Sequence, residues 1–329
     1  MVEKVVVLGS NSFSGSHFVD YALEQGLQVT GISRSDEPAN AFLPYKTRNT
    51  SLFSFYKLDL NHDLFRIIDL INQLRPDYVV NFSAQSMVSQ SWENPVDWFS
   101  TNTLSTILLH DKLRKCSFIK KYVHISTPEV YGSCSGVISE NAPYNPSTPY
   151  AVSRAAADMS LKTFHTVYNF PVTSTRAANV FGPGQQLYRI IPRTILFIKL
   201  GKKIHLHGGG HSVRSFIHIR DVARGTLLAS RYSRTGQIYH FSTTRHISIR
   251  ELVEYICKRM DVHFNSVVES SGERPGKDLA YLLDSSSARE DLEWKPEITL
   301  ESGIDETIDW VENNLEELKK QPFDYIHKS

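Results

Sequence analysis

Short apolar, β-branched runs alternate with amphipathic stretches through the first half of the chain. Val5 to Leu8 precedes Gly15 to Glu24, Val29 to Ile32 and Phe53 to Lys57 precede Leu64 to Leu74, and Tyr78 to Phe82 precedes Asp97 to Arg114. Tyr122 to Ser126 is followed by a helix beginning at Pro149, and Val172 to Arg176 reads as the next strand. Apolar runs this short, spaced by helical stretches, are the pattern of βαβ units with strands buried on both faces. The order predicts an α/β fold with a doubly wound parallel sheet, whose ligands lie beyond the carboxyl ends of the strands.

The pattern changes after Asn179. Phe181-Gly182-Pro183-Gly184 breaks it, a helical run follows from Ile190 to Leu200, and Gly208-Gly209-Gly210 marks a loop. Ser215 to His218 and Asp221 to Arg231 read as a strand and helix returning to the first domain, and helices are expected over Ile249 to Met260 and Ser302 to Leu315. The expected division is a larger domain over residues 1–180, rejoined by 215–245, and a smaller C-terminal α+β lobe from 181–214 and 246–329.

Between the first strand and first helix stands Gly9-Ser10-Asn11-Ser12-Phe13-Ser14-Gly15. A glycine permits the tight turn, another permits helix and strand to approach, and the amides that open the helix face a pyrophosphate. Gly9, Ser12, Phe13 and Gly15 are therefore candidate dinucleotide contacts, with Ser12 standing where a glycine is usual. At the end of the second strand no acidic residue awaits an adenosine ribose. Ser33 and Arg34 stand there, a mild argument for NADP over NAD through a 2′-phosphate. Stacking of Arg34 on adenine would suit either cofactor. Asp59 and Leu60 after the third strand, and Ser83 and Ala84 after the fourth, are further cofactor candidates.

Composition narrows the function classes. The 36 basic and 35 acidic residues nearly cancel, so no global field draws in nucleic acid or an anionic membrane. Three cysteines without metal-like spacing and thirteen histidines without a ligand-like arrangement give no metal site, and suit a reduced, cytoplasmic setting. No stretch approaches the roughly 20 apolar residues of a membrane span, and the N-terminus lacks the form of a signal peptide.

Ser126-Thr127-Pro128-Glu129-Val130-Tyr131-Gly132 ends the fifth strand, and Tyr150-Ala151-Val152-Ser153-Arg154 opens the next helix. Four residues apart, Tyr150 and Arg154 share a helix face, where the cation is expected to lower the tyrosine pKa toward a usable base. Together with Asn81-Phe82-Ser83-Ala84-Gln85-Ser86, Arg176-Ala177-Ala178-Asn179-Val180-Phe181-Gly182-Pro183, Arg214-Ser215-Phe216-Ile217-His218 and Arg274-Pro275-Gly276-Lys277-Asp278, these segments resemble the extended short-chain dehydrogenase/reductase family. Within it they resemble the nucleotide-sugar 4,6-dehydratases, of the dTDP-glucose and GDP-mannose kinds. The likeness runs from about Val5 to about Pro296.

The resemblance implies a Rossmann domain holding a tightly bound, recycled NAD or NADP, and a second lobe gripping the nucleotide sugar. Tyr150 would take the proton from the sugar O4, Glu129 the proton from C5, and Thr127 would hydrogen-bond the O4 region. Arg154 would hold the nicotinamide ribose. Ser86, Asn179, Arg189, Arg214, Arg274 and Tyr281 would meet the substrate, with Arg193 and Asp278 nearby. Two positions depart from the family: Pro128 replaces the aspartate that many hexose dehydratases use as proton donor, and Arg154 replaces the usual lysine. The helices over Asp97 to Arg114 and Tyr150 to Tyr168, with Trp98, Phe99, Leu104, Leu108, Met159 and Phe164, would form a four-helix bundle in a homodimer. A UDP-glucuronate decarboxylase or a 4-epimerase of the same fold is the nearest alternative. A catalytically inactive, cofactor-binding regulatory protein is the alternative of another class.

Overall fold

A computed structural model describes residues 2–134, 136–272 and 282–328. Its first half alternates as the hydrophobic pattern requires: β1 (Lys4–Leu8), α1 (Phe13–Glu24), β2 (Gln28–Ser33), β3 (Phe53–Lys57), α2 (Leu64–Leu74) and β4 (Tyr78–Asn81). Next come α3 (Pro95–Trp98), α4 (Thr106–Leu113), β5 (Lys121–Ile125), the short β6 (Val137–Ile138), α5 (Pro149–Tyr168) and β7 (Val172–Ala177). The one helix expected over 97–114 is interrupted: Phe99–Ser105, between α3 and α4, winds as a π-helix. Such a bulge re-aims side chains locally. Here it carries Asn102, whose amide clasps the backbone of Gln85.

The second half comprises β8 (Asn179–Phe181), α6 (Ile190–Lys199), β9 (Ile204–His207), β10 (Val213–His218), α7 (Ile219–Tyr232), β11 (Ile238–Phe241) and β12 (His246–Ser248). It ends with α8 (Ile249–Arg259), α9 (Phe264–Val267), β13 (Val268–Ser271), β14 (Leu282–Leu283), α10 (Ser286–Leu292), α11 (Leu300–Asn313) and α12 (Leu315–Leu318).

Seven parallel strands lie in the order β11-β7-β5-β4-β1-β2-β3. Strand order reverses between β1 and β4, so the switch-point crevice opens at the turn after β1. Side chains of β1 alternate: Val6 and Leu8 pack into the layer of α2, α4 and α5, while Val5 and Val7 face Phe18, Val19 and Leu227 of α1 and α7.

The smaller lobe has the three-stranded sheet β12-β10-β8 and the pair β13-β9. Its core joins Phe181, Ile191, Ile195, Leu252, Ile256 and Ile304. Segment 215–245 divides between the two sheets. β10 pairs with β8 and β12 in the smaller one, and only α7 and β11 return to the large sheet, because β10 is in register with Asn179–Phe181. Among the described residues no helix is long and apolar enough to cross a membrane.

Candidate active site

The turn after β1 is built by exclusion of side chains. Gly9 has φ +79°, and a Cβ there would lie 2.7 Å from the Ser83 amide nitrogen; a Cβ on Gly15 would lie 2.2 Å from the Gly9 carbonyl oxygen. Both positions therefore require glycine. Ser12 replaces the missing glycine with chemistry: its hydroxyl donates to the Gly9 carbonyl at 2.7 Å and accepts from the Gly15 amide at 3.0 Å, capping α1. Phe13 buries its ring with Ala178 and Ile217, so it can serve a phosphate only through its backbone.

The other cofactor candidates lie at or just after the carboxyl ends of β2, β3 and β4. The Ser33 hydroxyl accepts from the Asn11 amide at 3.0 Å, and Arg34 Nη2 donates to the Lys328 carbonyl at 3.1 Å. Asp59 Oδ1 accepts from the Asn61 amide at 2.7 Å, whereas Leu60 belongs to the core. Ser83 donates its amide to Asn81 Oδ1 at 2.9 Å; Ser83 and Ala84 are half-buried and Ser86 is exposed.

Beyond β5 the chain makes a single 3-10 turn over Pro128–Tyr131, with Thr127 Oγ1 accepting from the Glu129 amide at 3.4 Å. Pro128 occupies the first position of that turn, where its fixed φ suits the geometry and no amide is needed. Tyr150 is the second residue of α5, whose start is capped by Thr148 Oγ1 at 3.2 Å from the Ala151 amide. The two segments meet. The Thr127 hydroxyl and the charges of Glu129, Arg154 and Arg189 all act on the Tyr150 phenol.

The balance of these effects differs from the sequence expectation. Burial and the Glu129 carboxylate push Tyr150 up to about 12, and Arg154, the Thr127 hydrogen bond and Arg189 only moderate that rise. Arg154, four residues along the helix, does lower the phenol pKa, but desolvation penalises the phenolate more.

Arg154 is 2% exposed. Its Nη2 donates to the Ile125 carbonyl and lies 3.3 Å from His124 Nε2, while Nε and Nη1 are buried without partners among the described residues. Buried guanidinium donors need acceptors. The hydroxyls of a ribose are acceptors of the required kind, so the residues present fit a dinucleotide here.

Beneath the site runs a polar network that sequence reading missed. Asp158 bonds Arg176 at 2.7 Å, accepts from Ser126 Oγ at 2.5 Å and lies 3.4 Å from His124 Nε2. Although burial opposes it, the charge of Arg176 and the His124 hydrogen bond hold the Asp158 carboxyl well below the usual range. Burial lowers the His124 pKa, against the raising effect of the Asp158 hydrogen bond. Arg176 also donates to the hydroxyls of Tyr131 and Tyr144. The signal was available: Tyr150, Arg154 and Asp158 fall at i, i+4 and i+8 along one helix face.

The substrate candidates are dispersed. Asn179 opens β8, and Arg189 immediately precedes α6, its guanidinium 5.5 Å from the Tyr188 ring. Arg214 lies on β10 opposite Ile247, with Nη1 donating to the Val213 carbonyl at 2.8 Å. Arg193 instead bonds Asp324 at 3.1 Å and the Phe323 carbonyl, which commits it to the C-terminal segment. Arg274, Asp278 and Tyr281 lie outside the described residues. The C-terminal segment itself, carrying Tyr325, His327 and Lys328 to this region, had no sequence signal beyond its aromatic residues.

Residues 6–307 match the family described as GDP-mannose 4,6 dehydratase. The chain belongs to this family. A curated dTDP-glucose 4,6-dehydratase of Streptomyces antibioticus is 33% identical, the match covering 97% of this chain and 96% of the relative. A solved dTDP-glucose 4,6-dehydratase of Streptomyces venezuelae with NAD bound superimposes with a TM-score of 0.86 at 29% identity, covering 94% of this chain and 97% of the other. The UDP-glucose 4-epimerase of Thermotoga maritima has a TM-score of 0.84 at 26% identity, with 95% and 99% covered. The Rossmann architecture and the family resemblance read from the motifs are borne out, and the chain is a nucleotide-sugar 4,6-dehydratase, an enzyme.

Proposed function

We propose that this enzyme converts dTDP-glucose to its 4-keto-6-deoxy derivative with NAD as resident cofactor. The observation that carries the reading is the convergence of Thr127 and Glu129 on Tyr150, with Glu129 close enough to act on the phenol. An epimerase of this fold needs the tyrosine base but no second carboxylate for C5. The named substrate of the relatives supports dTDP-glucose, and NAD in the solved relative supports that cofactor. Ser33 and Arg34, the basis for preferring NADP, are engaged by Asn11 and Lys328, which weakens the case for a 2′-phosphate.

A bound nicotinamide would supply the hydride acceptor for C4 and the hydride donor for C6, so that no oxidant would be consumed. Tyr150 takes the O4 proton, helped by the Thr127 hydroxyl, which stabilises the phenolate. The resulting 4-ketone acidifies C5, and Glu129 removes that proton. Pro128 cannot donate to the leaving C6 hydroxyl. Glu129 therefore passes the proton it has just taken to the leaving hydroxyl, which departs as water; Glu129 then takes a proton from solvent and gives it to C5 as C6 is reduced, and Tyr150 returns the O4 proton to solvent. Arg154 holds the ribose through Nε and Nη1. Arg189, Arg214 and Asn179 bind the diphosphate and sugar, with Arg274 and Tyr281 completing the site; Ser86 borders the sugar.

We also propose a cytoplasmic homodimer. Cys116 and Cys257 are buried thiols outside any disulfide. Leu104, Leu108 and Met159 are exposed on the π-helical stretch, α4 and α5, a ready face for a second copy. Trp98 is fully buried and Phe164 packs into the core, so these two belong inside the subunit rather than on that face.

Incubation with a panel of nucleotide sugars, followed by product mass, tests the activity. Loss of one water from dTDP-glucose with no net cofactor reduction is expected. Isomerisation without mass change, or loss of carbon dioxide from UDP-glucuronate, would refute it.

A further inference from the structure

The last residues form an extended segment that alternates. Phe323, Tyr325 and His327 turn inward while Asp324, Ile326 and Lys328 face solvent. Each inward ring finds an aromatic partner. Phe323 meets Phe197 on α6, Tyr325 meets Tyr188 beside Arg189, and His327 stacks on Trp98 of α3 at 5.2 Å and 11°. His327 Nε2 also lies 2.6 Å from Asp97 Oδ2. The segment thus leaves the smaller lobe, passes the substrate side and docks on the Rossmann domain.

Its end marks the position most sharply. The Lys328 carbonyl accepts from Gln85 Nε2 at 2.7 Å and from Arg34 Nη2 at 3.1 Å. Gln85 follows β4 and Arg34 follows β2, and β1 lies between those strands. A single oxygen bonded to both must therefore sit across the crevice into which the Gly9 turn opens. That crevice is where a dinucleotide lies in this fold.

We infer that residues 321–328 are a strap that belongs to the cofactor site, closing over the bound dinucleotide and slowing its release. The inference rests on the NAD reading above and adds a physical need. The same cofactor molecule that takes hydrogen from C4 must return it at C6, so loss of the reduced form in mid-cycle would strand a ketone. A segment anchored on both lobes lowers the rate of that loss without touching the reacting atoms.

The test uses the intact protein loaded with NAD, a His327→Ala variant, and a chain ending at Gln321. Free cofactor is removed by rapid gel filtration and release is followed by trapping the freed NAD, with thermal unfolding of each cofactor-free protein measured alongside. Release about ten- to a hundredfold faster in both variants, with unfolding of His327→Ala little changed, is expected from loss of a charge-assisted hydrogen bond and a stack. Unchanged release in both would overturn the strap, leaving the segment as packing alone. Slower release or tighter binding would also overturn it, since the segment would then compete with the dinucleotide. If the intact protein takes up no NAD at all, the cofactor reading itself fails and the strap falls with it.

Discussion

In the proposed mechanism Pro128 leaves no proton donor at its position, and the whole burden of elimination would fall on Glu129. Glu129→Gln is expected to abolish loss of water, by about 10²-fold or more for a general acid–base group, while C4 oxidation still leaves reduced cofactor detectable by absorbance. Turnover at the normal rate would remove Glu129 from its role. Arg154 moderates a phenol that burial and Glu129 have raised to about 12. Its replacement by alanine should raise the Tyr150 pKa further, so the limb of activity that increases with pH should move to higher pH; a profile that stays in place would show Arg154 acting on the ribose alone. The convergence of Tyr150, Thr127 and Glu129 was legible in the sequence because each stands at a strand end or helix start. Desolvation of Tyr150, the turning of Arg193 to Asp324 and the burial of Trp98 were not, because each depends on chain segments remote in sequence.

Helix α5 carries more than its first turn suggests. Tyr150, Arg154 and Asp158 share one face, and Asp158 ties that helix to β5 through Ser126 and to β7 through Arg176. Asp158→Ala would leave the Arg176 charge buried and without its carboxylate, a loss of about 3–5 kcal/mol of stability measurable by urea unfolding. A change near zero would mean the network is not held as tightly as its distances imply. The turn before α1 is equally confined: Gly15→Ala places a Cβ 2.2 Å from the Gly9 carbonyl, and loss of NAD binding by calorimetry is the expected result. Apart from the two-residue β6, the strands and helices of the first half were legible from periodicity. The π-helical stretch over Phe99–Ser105 was not, since no local pattern distinguishes it from α-helix; nor was β11, whose place beside β7 is set by pairing.

Across the whole molecule, several histidines are buried neutral. Burial lowers His218 and His240 to about 3, far below the usual value of about 6.5. The unfolded chain binds protons on them below that ordinary pKa and the folded chain does not, so their contribution to stability is full above it and falls as pH drops toward the folded values. At pH 5 each is expected to cost about 2 kcal/mol, and the urea midpoint should fall between pH 7 and pH 5. A flat midpoint would show the rings charged or solvated in the fold. At this scale the parallel sheet and the existence of a second lobe were readable from the order of elements. The path of the C-terminal segment was not, because an extended chain docked by three separate rings leaves no periodic run long enough to read.

The claim that most depends on every part of the site is that hydrogen leaves C4 and returns at C6 within one molecule. It is tested by supplying dTDP-glucose deuterated at C4 and reading the product by mass and NMR. Deuterium at C6 of a product lighter by one water is the predicted result. Deuterium restored to C4 of an isomer, or lost to solvent, would contradict the dehydratase account.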